Sequence, residues 1–186
     1  MSVSPQAKEI WDLIRENQKG LKEIREIQKQ TSKQMKETGE KIKETRSLFE
    51  TQWGKFMESL VEGDLINILN EQGIKVINTY PNIKHRSEKD QYEYDIVASN
   101  GKEMVVVEVK TTLRVKHVKY FLEDLKKFPV RIPIFKEKRI YGAIAYLKSE
   151  EKASVYAERK GLFVIRATGS SASLVNKKGF KPKVFS

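Results

Sequence analysis

Residues 94–112 read YDIVASNGKEMVVVEVKTT, and this stretch decides the fold. Asn100 and Gly101 together are the strongest short signal for a hairpin turn, because both residue types adopt the positive φ values that a two-residue loop requires. Apolar residues alternate with other residues on either side of the turn, as in strands that bury one face. The sequence therefore predicts an antiparallel hairpin with strands at 92–98 and 104–110.

A loop made of Asn100 and Gly101 also predicts the register of the hairpin. Ser99 then lies opposite Lys102, Asp95 opposite Val106, and Glu93 opposite Glu108, and residues that oppose each other share a face. One face is predicted to be an apolar layer that a helix can cover, while the other becomes acidic at one end and continues to Lys110. The predicted apolar face consists of Tyr92, Tyr94, Ile96, Ala98, Val105, Val107 and Val109.

The acidic end of the second face predicts a metal site. Opposed carboxylates repel each other, and burial disfavours their charged forms, so a bound cation would stabilise this arrangement. Mg²⁺ and Mn²⁺ prefer oxygen ligands, which Asp95, Glu108 and the carbonyl group of Val109 could supply. Lys110 projects from the same face as Glu108, where it could orient an attacking water or neutralise charge on a pentavalent phosphate.

The sequence Tyr94-Asp95, followed after twelve residues by Glu108-Val109-Lys110, resembles the PD-(D/E)XK nuclease superfamily. The likeness extends over residues 53–166 and is greatest to branches that are similar to Holliday junction resolvases. Tyr94 stands where many members have proline. The resemblance implies an α/β fold of the restriction endonuclease type, with a mixed sheet flanked by helices in an αβββαβ core.

The same resemblance implies a function and a set of site residues. It assigns catalysis to Asp95, Glu108 and Lys110, and the glutamate that many members carry on the first helix maps to Glu62, with Glu58 as the competing position. The implied activity is hydrolysis of phosphodiester bonds in DNA with Mg²⁺ or Mn²⁺. The alternative is a catalytically silent DNA-binding or assembly module, because a fold alone does not establish activity.

Residues 1–50 are predicted to form a coiled-coil helix. Helix-favouring residues dominate this segment, and steps of four and three residues mark a seam in which five of twelve positions are polar. We expect the seam to join two copies as a homodimer, the alternative being a solvated single helix. Gly20 and Gly39 predict fraying or a break in the helix. The seam positions are Ile10, Ile14, Asn17, Leu21, Ile24, Gln28, Thr31, Met35, Thr38, Ile42, Thr45 and Phe49.

The remaining segments alternate between helical and strand patterns. A second helix is predicted at 53–72, ending at Gly73, and the globular domain at 53–168. The tail at 169–186 is rich in Ser and Lys, and we expect it to be loosely ordered. Besides the hairpin, the domain is predicted to contain strands at 74–78, 139–147 and 162–166 and helices at 115–128 and 150–160.

Charge and composition indicate a nucleic-acid partner. The net charge is +11; residues 1–52 hold 11 Lys and Arg against nine Asp and Glu, and the rest holds 25 against 16. The basic excess therefore belongs to the globular part, for which we expect DNA as the partner rather than a membrane. The chain has no cysteine, which excludes disulfides and thiolate sites. Without the pattern of a signal peptide near Met1, we expect a cytoplasmic protein.

Three further features have two interpretations each. Glu93 is either a base that supports the site or a carboxylate at its rim, and we favour the rim. His85 and His117 could reach a phosphate or the site, and we favour a solvated loop and a surface position, respectively. The basic and aromatic stretch at 114–138 is either a phosphate-tracking surface or a helix with aromatic residues in the core and lysines in water.

Overall fold

The computed structural model describes residues 5–86 and 91–185, apart from the side chain of residue 7. The chain divides into two compact units between Glu50 and Thr51. A single helix, α1 (Pro5–Glu71), contributes to both units. The predicted break at Gly20 or Gly39 and the predicted start of a second helix at 53 are therefore wrong. A glycine costs a helix interior only about 1 kcal/mol, which long runs of helix-forming neighbours offset.

The described part of the second unit is a six-stranded mixed sheet with helices on both faces. The sheet has the strand order β1-β2-β3-β4-β5-β6. Pairing is parallel for β3–β4 and β4–β5 and antiparallel for the other neighbours. The prediction of a mixed α/β fold that follows a long amino-terminal helix is confirmed. The elements after α1 are β1 (Asn78–Arg86), β2 (Gln91–Ser99), β3 (Glu103–Leu113), α2 (Val115–Arg131), β4 (Arg139–Ser149), α3 (Ala153–Arg159), β5 (Phe163–Ala167) and β6 (Ala172–Leu174).

The sheet separates two hydrophobic cores. The last turns of α1 cover one face, where Met57, Val61 and Leu65 are buried against β2, β3 and β4. Helices α2 and α3 cover the other face. Gly142 on β4 allows α2 to approach closely, because a Cβ atom there would lie 2.4 Å from the Leu125 side chain. No helix in the described part of the chain is long and apolar enough to cross a bilayer.

The first strand lies later in the chain than the sequence predicts. The segment predicted as a strand at 74–78 is a connection in which Ile74 and Val76 are buried, and β1 starts only at Asn78. Gly73, with φ of 85°, ends α1 and lets the Ile74 N–H donate to the Leu69 carbonyl. β1 contains Pro81, which an edge strand tolerates because the missing N–H removes no ladder bond on its open side.

The carboxy-terminal segment is ordered in its described part, contrary to the expectation of a loose tail. Residues Ala172–Leu174 pair with β5 as a sixth strand. Further on, the Lys183 N–H donates to the Gly161 carbonyl at 2.9 Å and the Phe185 N–H donates to the Ile140 carbonyl at 2.8 Å. These backbone bonds attach the described part of the segment to the rest of the domain.

The hairpin register differs from the predicted one by two residues. Ser99 pairs with Met104, not with Lys102. The side-chain oxygen of Asn100 accepts the N–H groups of Lys102 and Glu103 at 3.0 Å and 2.8 Å, which moves the turn one residue along the chain. A shift by two preserves the faces of the ladder, but it brings Asp95 to the level of Glu108 instead of Val106.

The alternation of β2 reverses at Asp95. Ile96 and Ala98 face the α1 core, whereas Tyr92 and Tyr94 pack against the core under α2. The prediction that all four residues share one apolar face is therefore wrong. The neighbouring strand is distorted at the same level, because Asn82 of β1 has φ of 54°. At this level the Asp95 carboxylate accepts the Val109 N–H of β3.

Candidate active site

Asp95 lies where β2 and β3 separate. The pairing of the two strands ends at Ile96 opposite Val107. Beyond that point the Asp95 Oδ2 atom accepts the Val109 N–H at 2.7 Å, so a carboxylate replaces a backbone acceptor. Burial raises the pKa of Asp95, against the opposing effects of the Val109 N–H and of Lys110, and the charge of Glu93 raises it further. The side chain is thus fixed in place by the strand that carries the other two motif residues.

Glu108 and Lys110 form an ion pair on β3. The Lys110 Nζ atom lies 2.5 Å from the Glu108 Oε1 atom, and the two side chains are 35% and 21% exposed. Burial and the charge of Asp95 raise the pKa of Glu108, while Lys110 lowers it. Burial alone would lower the pKa of Lys110, but Glu108, Asp95 and Glu58 together raise it. Lys110 is therefore a charged ammonium group in contact with an acidic cluster.

The two glutamates of α1 that the sequence proposed for the site have different surroundings. Glu62 accepts the Thr79 hydroxyl at 2.9 Å. Burial raises the pKa of Glu58, as do the charges of Asp95 and Glu93, whereas Lys110 lowers it. The charges of Asp95, Glu93 and Lys110 therefore act on Glu58, and the structure places Glu62 against β1.

Glu93 and the two histidines have structural partners. Glu93 pairs with Lys84 at 3.3 Å and remains 45% exposed, at the rim of the acidic cluster. His85 stacks on Tyr92 with the ring centroids 5.0 Å apart. The Nδ1 atom of His117 accepts the Arg114 N–H at 3.3 Å, at the start of α2. Burial and the charge of Lys110 lower the pKa of His117, so this ring is near the site as a neutral helix cap.

Sequence reasoning missed Asp124 on α2 and treated Arg131 only as part of the basic stretch at 114–138. Asp124 pairs with Arg131 at 2.8 Å, and its charge contributes to the raised pKa of Glu108. Arg131 also donates to the Tyr94 hydroxyl at 3.4 Å and lies 3.9 Å from the centre of the Tyr92 ring. Burial raises the pKa of Tyr94 to about 12, so the phenol stays protonated. The spacing of seven residues shows that Asp124 and Arg131 share a helix face. No local sequence pattern indicates which residues of the sheet they contact.

Asp95, Glu108 and the Val109 carbonyl form a donor set that fits Mg²⁺ or Mn²⁺. The N–H and C=O groups of one strand residue point toward the same neighbouring strand. Because the Val109 N–H donates to Asp95, its carbonyl also faces β2, beyond the end of the ladder. The described residues contain no cluster of three or more carboxylates and histidines suited to a metal. Mg²⁺ commonly binds through one or two carboxylates, with water and substrate phosphate as its other ligands, so two carboxylates suffice.

Comparisons with known structures give distant likenesses, among them the following two. No known protein family and no curated protein matches the chain. A protein of unknown function is similar over 54% of this chain, with 20% identity and a TM-score of 0.35. A repair endonuclease from Pyrococcus abyssi is similar over 57% of this chain, with 18% identity and a TM-score of 0.34. The similar regions make up 53% and 46% of those two chains, so this chain matches about half of their length.

Proposed function

We propose that the second unit is a restriction endonuclease-like domain of the PD-(D/E)XK type that hydrolyses phosphodiester bonds in DNA. One observation carries the proposal: Asp95, Glu108 and Lys110 converge at the point where β2 and β3 separate. The pKa values of both carboxyl groups are raised, chiefly because burial disfavours their charged forms. Groups arranged at such an electrostatic cost are typical of sites that perform chemistry.

The roles of the residues follow from their positions. Asp95, Glu108 and the Val109 carbonyl would hold Mg²⁺ or Mn²⁺, which supplies Lewis-acid polarisation of a phosphoryl oxygen when bound. Lys110 carries the positive charge that either neutralises the developing charge on phosphorus or orients the attacking water. Glu58 would be the first-helix glutamate of the site, accepting a proton near the cluster; the resemblance maps that glutamate first to Glu62.

The substrate proposed is DNA, on which two sites would act together. The globular part carries the basic excess of the chain, which favours a polyanion as partner. In the first unit, seam side chains such as Ile10, Leu21 and Ile42 are more than half exposed. We propose that this seam pairs with that of a second copy as a coiled coil, so that one dimer presents two sites to both strands of a duplex or to a branched junction.

The rival function is a catalytically silent DNA-binding or assembly module that keeps the same fold and acts through its coiled coil. The direct ion pair between Lys110 and Glu108 favours it, because that contact occupies an oxygen that a metal would need. An active enzyme must therefore release Lys110 from Glu108 when metal and phosphate bind, whereas a silent module keeps the pair.

A cleavage assay separates the two functions. Purified protein is incubated with plasmid, single-stranded and branched DNA in Mg²⁺, in Mn²⁺ or in EDTA. We expect cleavage that needs metal and is abolished by Lys110→Ala and by Asp95→Ala, because both groups act on the transition state. The matched control is Lys84→Ala, which removes a lysine and an ion pair at the rim of the cluster. Wild-type cleavage by Lys110→Ala, or no cleavage of any substrate by the native protein, would refute the proposal.

A further inference from the structure

A groove between α2, α3 and the carboxy-terminal segment lies outside the candidate active site. Its volume is about 490 Å³, within the range of roughly 300 to 1,000 Å³ of small-molecule pockets. The carboxy-terminal wall is held by the backbone bonds from Lys183 to Gly161 and from Phe185 to Ile140. The groove is therefore a built feature of the fold and is not formed by loosely placed side chains.

The rim of the groove is cationic. Four lysines line it, and the one carboxylate among the described lining residues, Glu123, is already paired with Lys126 at 2.6 Å. The groove therefore carries an excess of positive charge that attracts the phosphates of a polyanion. Binding of those phosphates releases their counterions. The four lysines are Lys119, Lys126, Lys160 and Lys183.

Aromatic rings form the walls between these lysines. Tyr120 is 68% exposed, and Tyr156 and Phe185 are half-buried against the core under α2 and α3. The Lys160 ammonium lies 5.4 Å from the Tyr156 ring centre, and that of Lys183 lies 5.3 Å from the Phe185 ring centre. Aromatic faces beside ammonium groups are the combination that binds unpaired nucleotides, since bases stack on the rings while phosphates contact the lysines.

We propose that this groove binds single-stranded DNA. Stacking requires base faces that are hidden within a paired duplex, so the ligand is a single strand or an unpaired branch. The choice of DNA over RNA rests on the proposed function, whereas binding itself does not require hydrolysis. The groove would hold a strand of the substrate at a distance from the acidic cluster and add affinity for branched or frayed DNA.

Binding is tested with a fluorescein-labelled twelve-nucleotide oligodeoxythymidylate by anisotropy, with the full chain in EDTA and at several salt concentrations. We expect Tyr120→Ala to weaken binding by between about 5-fold and about 150-fold, the range for one stacked base, without changing the salt dependence. The double variant Lys119→Gln and Lys160→Gln should reduce the slope of log K against log salt by about 0.7 for each phosphate contact that is lost.

The matched control is Lys102→Gln with Lys178→Gln, which removes two exposed lysines outside the groove. The control should retain most of the affinity, and melting curves show whether each variant is folded. Because the assay in EDTA measures binding without cleavage, a failed cleavage proposal remains distinguishable from a failed groove. The inference is overturned if the control pair weakens binding as much as the groove pair, or if Tyr120→Ala binds the oligonucleotide as tightly as wild type does. It is also overturned if a DNA duplex of equal length binds as tightly as the single strand. Displacement of the oligonucleotide by an acidic peptide of equal charge would have the same meaning.

Discussion

Replacement of Asp95 by Asn tests whether the acidic cluster is a metal site. Asn keeps an oxygen that can accept the Val109 N–H, now bound at 2.7 Å, but it removes one negative charge beside Glu108 and Glu58. In the metal-free protein we expect the variant to be more stable than wild type at pH 8. The gain should reach about 1 kcal/mol at most, the usual size of the interaction between two opposed side chains on a sheet.

The sign of the dependence of folding stability on pH follows from the shifted pKa values. Burial and neighbouring carboxylates raise the pKa values of Asp95, Glu108 and Glu58, so these groups hold their protons more tightly in the folded protein than in the unfolded chain. Their contribution to stability is complete below the ordinary carboxyl pKa of about 4 and is lost as the pH rises through the raised values. Metal-free wild type should therefore lose more stability between pH 5 and pH 8 than Asp95→Asn does.

Bound metal should make the wild type more stable than Asp95→Asn, the reverse of the order without metal. At a concentration of about 100 times its dissociation constant, Mg²⁺ or Mn²⁺ stabilises the wild type by roughly 2.7 kcal/mol. If the loss of the Asp95 charge weakens binding about 100-fold, the same concentration stabilises the variant by only about 0.4 kcal/mol. At about 4 °C for each kcal/mol in a domain of this size, the melting temperature rises by roughly 11 °C in wild type and by roughly 2 °C in the variant.

Thermal melts of the wild type and of Asp95→Asn, with EDTA and with a Mn²⁺ titration at pH 5 and at pH 8, measure all of these differences in stability. An Asp95→Asn variant that is less stable than wild type without metal, yet responds to Mn²⁺ as strongly, would refute the reasoning. That result would mean that Asp95 is a structural acceptor for Val109 and that the metal binds elsewhere.

Three other predictions follow from the same contacts. Glu58→Gln should reduce the cleavage rate more than Glu62→Gln, because the charges of Asp95 and Glu93 act on Glu58, whereas Glu62 accepts the Thr79 hydroxyl; equal rates in the same plasmid assay would contradict this. Removal of residues 1–50 should leave a folded domain of lower oligomeric state by light scattering, and an unchanged state would place the dimer contact in the domain. Gly142→Ala should destabilise the protein by about 1 to 3 kcal/mol in urea through overpacking, whereas Gly63→Ala, with open space around its Cβ position, should stabilise it by roughly 0.5 to 1 kcal/mol.

The sequence predicts the order of the elements well because that order depends on local patterns. Alternation around Asn100 and Gly101 marks the hairpin, and the apolar spacing of α2 marks the helix that covers it. The sequence predicts the register of the hairpin less well, because the Asn100 side chain accepts hydrogen bonds from two backbone N–H groups and so moves the turn. A shift by two residues leaves the same faces buried, so hydrophobic patterning cannot detect the error.

The local sequence does not decide between Glu58 and Glu62. The two residues are four apart, so they lie on the same face of α1, about 6 Å apart along its axis. Both satisfy the spacing of a first-helix glutamate, and only the axial position of α1 on the sheet decides which one reaches Asp95. That position is set by Met57, Val61 and Leu65, which are buried against strands from distant parts of the chain. The carboxylate that joins the site is therefore selected by core packing, which the motif does not encode.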